Sequence, residues 1–245
     1  MSAQTKTVLI TGSSSGIGLD IARGFLDKGS NVVLNGRNAD KLTAAAKELG
    51  HPERVAVVPG STADRETGEA MVRIALERFD SVDVLVNNAG TFGTKPFVDV
   101  TDEDLDGYVN GNLKGTYVTT QAVVRQMQKE GGGSIVNIGT VLVDHAMAGL
   151  PASAALVSKG GIHALTVSLA AELAAHNIRV NCVAPGVIRT PIYGDAVVDS
   201  FSGVALLNRV GEVNETTHAV LYLATANFTT GHILRVDGGY VTGRP

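Results

Sequence analysis

The chain of 245 residues has no tryptophan, five tyrosines and six phenylalanines. Such a shortage of rings counts against an aromatic-rich β-sandwich and for a core of Val, Ile, Leu and Ala. Its single cysteine, Cys182, rules out an internal disulfide and fits a reducing compartment; a small buried hydrophobe on a strand is its expected role. Lys and Arg (20) are scattered among Asp and Glu (24), for a net charge of −4, and no basic cluster could track a phosphate backbone. Nucleic acid is therefore not expected as a partner. No His/Cys/Asp/Glu spacing points to a metal, and His163, His176 and His218 read as helix-face residues. The opening MSAQTKTVLITG is too poor in apolar residues for a signal peptide, and no stretch is expected to reach membrane-spanning length. The expectation is a cytoplasmic protein with no membrane association.

What the chain does have is alternation. TVLI (7–10), NVVL (31–34), VAVV (55–58), DVLV (83–86), SIVNI (134–138), IRVNCV (178–183) and HILRV (232–236) are short, β-branched and continuously apolar, the pattern of strands buried on both faces. Between them lie helix-like segments at 16–28, 38–49, 64–79, 101–130, 152–176 and 214–226. Thr101, followed by Asp102, Glu103 and Asp104, suits a helix start. Strand–helix alternation from end to end predicts α/β architecture: one Rossmann-type domain over 1–245, a doubly wound parallel sheet of seven strands in the order 3-2-1-4-5-6-7 with helices on both faces. The stretch 186–213, with Pro191 and several glycines, breaks the rhythm and reads as a substrate lid.

TGSSSGIG (11–18) sits between a buried first strand and an amphipathic helix. Gly12, Gly16 and Gly18 allow a tight turn and a close backbone approach to a pyrophosphate, and the helix start offers N–H groups and positive potential. Further motifs follow in order: NNAG (87–90), GNLKG (111–115), SIVNIGT (134–140), VSKGG (157–161), VNCVAPGVIRT (180–190) and GHILRVDGGY (231–240). Together they make the chain resemble the short-chain dehydrogenase/reductase family over essentially its whole length. The resemblance implies hydride transfer between a nicotinamide cofactor and a small-molecule carbonyl or alcohol. It implies cofactor contacts at Gly12, Ser14, Ser15, Gly16, Ile17, Gly18, Asn88, Gly90, Lys159, Pro185, Gly186, Ile188 and Thr190, and reaction-centre roles for Asn112, Thr140 and Lys159. It also implies a homo-oligomer, a tetramer, which suits the Ala- and Val-rich faces of 101–130 and 152–176.

Three positions depart from the family pattern. Thr140 replaces the usual serine but keeps its hydroxyl. Ser61 stands where an acid usually touches the adenine. Ala155 stands where the family has the tyrosine that exchanges a proton with the substrate oxygen, and the segment from Thr140 to Ala155 is slightly longer than usual. Three readings stay open. In the first, another group serves as the acid: His145 with its suitable pKa range, Ser153, or Lys159 through a water. Or the chain is a dinucleotide-binding sensor or oligomer partner. Or Ala155 is an engineered inactivation of an ordinary enzyme. Tyr193 in the lid could reach the site or merely contact substrate.

The cofactor expectation is NADP(H), with NAD(H) as the alternative. The second strand ends at Asn35-Gly36-Arg37, without the acid that would bond a ribose 2′-hydroxyl, and Arg37 suits a 2′-phosphate. The pocket loops 91–98, 141–152 and 186–205 carry no charge cluster that names a substrate.

Overall fold

In the computed structural model the described residues are 5–191 and 198–243; Tyr193 and part of the expected lid lie outside them. The seven strands are β1 (Thr7–Ile10), β2 (Asn31–Gly36), β3 (Val55–Pro59), β4 (Val84–Asn87), β5 (Gly133–Ile138), β6 (Ile178–Pro185) and β7 (Ile233–Val236). They form one sheet in the order β3-β2-β1-β4-β5-β6-β7, and every pairing is parallel. The helices are α1 (Gly16–Asp27), α2 (Ala39–Leu49), α3 (Arg65–Phe79), α4 (Asp102–Tyr108), α5 (Gly115–Glu130), α6 (Ser153–Leu173) and α7 (Val213–Thr225). Sheet, strand order and helix layers match the expectation.

Strand alternation builds two cores. On β1, Val8 and Ile10 face a cluster with Ile21 and Phe25 of α1 and Val220 and Leu223 of α7. Leu9, between them, points the other way, into a cluster with Met71 of α3, Met127 of α5 and Leu173 of α6. Successive side chains on a strand point to opposite faces, so a continuously apolar strand supplies both layers.

The segment expected as one helix over 101–130 is divided. Thr101 caps α4 in a reciprocal capping box with Asp104. The turns Val109–Lys114 are then π-helical, and α5 follows. Such π-bulges are frequent at functional sites, and this one carries Asn112, fully buried. The expectation that no apolar stretch reaches membrane-spanning length needs correction: Ser153–His176 does so by length and composition. Its apolar character has an internal reason, since α6 packs on β6 and on the π-helical segment and buries Lys159 and His163.

Candidate active site

All strands being parallel, their carboxyl ends open on one edge, where the first crossover begins. β1 ends at Ile10, and Thr11 turns toward β4: its hydroxyl accepts the N–H groups of Asn88 and Ala89, each at 3.0 Å. Asn88 Nδ2 donates back to the carbonyls of Thr11 (3.0 Å) and Gly12 (2.9 Å). Ser13 Oγ donates to Ile10 O at 2.9 Å and accepts the Asn35 N–H at 3.0 Å, which fixes the turn to β2. Gly12 has φ +63°, and a Cβ there would stand 2.7 Å from Ala89 Cα, so only glycine fits. A Cβ on Gly18 would press into the Gly12 carbonyl and the Asn88 amide. Gly18 therefore shapes the turn from beneath. The upper rim of the turn, Ser14 to Ile17, lines an open cavity of about 870 Å³.

The cavity runs from the β2 end to the β5 end. Arg37, Ser61 and Thr62 line its outer reach. Arg37 is exposed and has no ion pair or side-chain hydrogen bond among the described residues, so its guanidinium is available to an anion. The other arginine lining the cavity, Arg209, grips Glu215 through two nitrogens, each at 2.7 Å.

At the inner end stand Asn112, Thr140 and Lys159, all lining the cavity. Lys159 is 8% exposed, and its Nζ donates to Ile138 O at 2.8 Å. Burial lowers its pKa to about 8, opposed in small part by the neighbouring Cys182. Cys182 is itself buried, and burial pushes its thiol up to about 12, so it remains neutral. Asn112 Oδ1 accepts the Thr91 N–H at 2.8 Å, while Nδ2 donates to Thr91 O and to Ser158 Oγ, each at 2.9 Å. These bonds tie the irregular segment after NNAG to α6. Gly90 completes the contact, since a Cβ there would come 3.0 Å from Asn112 Oδ1 and 3.3 Å from Lys159 Nζ. Thr140 is extended (φ −162°, ψ 146°) and its hydroxyl caps the short helical turn Val141–Val143 by accepting the Leu142 N–H at 3.3 Å.

Every residue expected at the cofactor site except Gly18 lines this one cavity, Pro185, Gly186, Ile188 and Thr190 at and beyond the end of β6 among them. His145 does not line it. Its ring packs edge-on against Tyr240 at 5.3 Å, and the Tyr240 hydroxyl donates to His145 O at 3.1 Å. The reason is local: Asp144 is drawn to Arg235 at 2.8 Å, which turns the loop outward toward β7. His163 differs from the helix-face expectation; it is buried against Gly139, with Nε2 unpartnered among the described residues, and burial lowers its pKa. Sequence reasoning missed Thr11, whose position directly after β1 was the available signal. It also missed Tyr240 and Asp237, which line the cavity. Among the described residues no cluster of potential metal ligands occurs.

Comparison with known proteins agrees with this geometry. Residues 6–199 match the family model described as short chain dehydrogenase. The 3-oxoacyl-[acyl-carrier-protein] reductase FabG of Thermotoga maritima is 36% identical over 248 residues, covering 98% of this chain and all of that protein. A 3alpha-hydroxysteroid dehydrogenase of Mediterraneibacter gnavus is 34% identical, covering 97% and 98%. The crystal structure of a short-chain type dehydrogenase/reductase from Mycobacterium marinum superposes with a TM-score of 0.92 at 29% identity, covering 98% of this chain and 97% of that one. With its parallel sheet, its glycine turn and its Asn112–Lys159 inner wall, the chain belongs to the short-chain dehydrogenase/reductase family.

Proposed function

We propose that the protein is an NADP(H)-dependent oxidoreductase interconverting a carbonyl and an alcohol, with a cofactor site of the usual kind and a proton-transfer step reassigned from the missing tyrosine. The observation that carries this reading is the convergence of the glycine turn, Arg37, Asn112, Thr140 and Lys159 on one cavity. The residues present fit a dinucleotide. Gly12 lets the chain turn tightly against Ala89 after β1, the α1 N-terminus offers N–H groups to a pyrophosphate, and Arg37 is placed for a 2′-phosphate. The nicotinamide would supply the hydride. Thr140 would hold the substrate oxygen, Lys159 would hold the ribose, and Asn112 would keep Gly90 and Thr91 in place beneath it. Oxidoreductase names among the relatives, on substrates as different as steroids and acyl carriers, support the reaction class and leave the substrate open.

Exposed Tyr117 on α5 and Val157 and Val167 on α6 support the homotetramer expectation, as an isologous helix pairing would cover them. The segment 186–213 would act as the lid, and a cytoplasmic location fits the lone thiol. Equilibrium titration with both cofactors, followed by a screen of carbonyls and alcohols, tests the reading. Tighter binding of NADPH than NADH with turnover of at least one carbonyl is expected; tighter NADH, or no dinucleotide binding, overturns it. A second reading, a dinucleotide-binding protein without turnover, is favoured by one observation: Ala155 is fully buried and brings no acid to the cavity.

A further inference from the structure

We infer that Lys159 is the catalytic acid and base of this protein: its ammonium gives a proton to the substrate oxygen held by Thr140, directly or across one water, in place of the absent phenol. The inference rests on the reading proposed above. Lys159 Nζ is anchored to the carbonyl of Ile138, two residues before Thr140 at the end of β5. Two residues of chain span at most about 7 Å, so Thr140 lies close to the carbonyl that anchors the ammonium. Ile138, Gly139, Thr140 and Lys159 all line the same cavity. An ammonium has three N–H donors. Ile138 O takes one, which leaves one for a ribose hydroxyl and one for the reacting oxygen. Ala155, one helical turn before Lys159 on α6, ends at its Cβ and cannot stand between them.

In the direction of reduction the carbonyl carbon gains hydride, with both electrons from the reduced nicotinamide, and the C=O π bond breaks. The oxygen takes H⁺ from Lys159, which is left as the neutral amine and regains a proton from water. Oxidation runs the same transfers in reverse. Such a donor must lose its proton near working pH, and the surroundings allow this. From β6, Cys182 faces Lys159 as a neutral thiol; from α6, His163 is held toward its neutral form; and Asp144, on the loop after Thr140, is occupied by Arg235. No free carboxylate among the described residues therefore fixes the charge on the amine, and its pKa falls to about 8.

Two other polar groups compete. His145 packs outside the cavity wall, and the Tyr240 hydroxyl lines the cavity but donates to His145 O. The experiment measures kcat against pH for NADPH-driven ketone reduction by the chain as given, Lys159→Arg, Tyr240→Phe and His145→Ala, with NADPH affinity followed separately by fluorescence. A ¹³C NMR titration of the reductively methylated apo-protein provides a readout free of turnover. The expected result is a lysine resonance titrating near pH 8 that vanishes in Lys159→Arg, and a kcat limb in the given chain that falls tenfold per unit above that pH. In Lys159→Arg the limb disappears and kcat drops on the order of 100-fold, while NADPH still binds. A limb that persists in Lys159→Arg, or that moves in Tyr240→Phe or His145→Ala instead, overturns the inference and leaves the oxidoreductase reading standing. Absence of turnover in the given chain, despite NADPH binding, overturns both.

Discussion

Asn112 Nδ2 and Ser158 Oγ lie 2.9 Å apart, and the same serine donates to Ala155 O at 2.7 Å. One hydrogen-bonded line thus runs from the π-helical segment into α6, ending at the carbonyl of Ala155.

That line supports fold as well as site. Asn112 is fully buried and satisfies both backbone groups of Thr91. Asn112→Ala would leave a buried donor and acceptor unpaired, and a loss of about 2–4 kcal/mol is expected. Ser158→Ala, which removes a single bridge, should cost about 1 kcal/mol. Urea unfolding of both variants checks the ranking, and a smaller loss for Asn112→Ala than for Ser158→Ala contradicts it.

Much of this architecture was legible in the sequence. The strands and their order followed from β-branched runs such as Val32–Leu34, because a parallel sheet buries both faces and leaves a continuous apolar signature. The glycine turn was legible because backbone geometry constrains residue type, and Lys159 because VSKGG at 157–161 carries the family resemblance. Other features were hidden. The π-bulge at Val109–Lys114 depends on packing against α6, to which local propensity is blind. The outward turn of His145 depends on Arg235, 91 residues away from its partner Asp144.

Lys159 should make stability depend on pH. Its pKa falls from 10.5 to about 8 on folding, a burial penalty of about 3 kcal/mol at 1.36 kcal/mol per unit. Below pH 8 both states carry the proton and the penalty is full. Between about 8 and 10.5 the folded state releases it first, so stability rises with pH. Lys159→Met should therefore be more stable than the parent by about 1–3 kcal/mol at pH 7, after the loss of a donor to Ile138 O. The advantage should shrink by pH 10. Urea unfolding at both values decides it, and a difference independent of pH rules the account out.

Arg37 should discriminate between cofactors. A guanidinium paired with a 2′-phosphate adds charge-assisted hydrogen bonds of about 1.5–3 kcal/mol, so Arg37→Ala should weaken NADPH about 10- to 100-fold and leave NADH nearly unchanged. Calorimetric titration of both cofactors makes the comparison; equal losses would place Arg37 outside phosphate recognition.

Gly18→Ala should abolish dinucleotide binding although Gly18 does not line the cavity. The added methyl would collide with the Gly12 carbonyl and the Asn88 amide that brace the turn. Protein that still binds NADPH with parental affinity would show the turn to be more yielding than its contacts imply.

The central claim is that this chain transfers hydride without a tyrosine at position 155. Its most direct measurement is a single turnover with stoichiometric [4-²H]NADPH and the best carbonyl from the screen, followed by mass spectrometry of the alcohol, on the chain as given and on Ala155→Tyr. The account predicts deuterium in the alcohol formed by the given chain. Deuterium transfer by Ala155→Tyr alone, with both proteins binding NADPH, would contradict it.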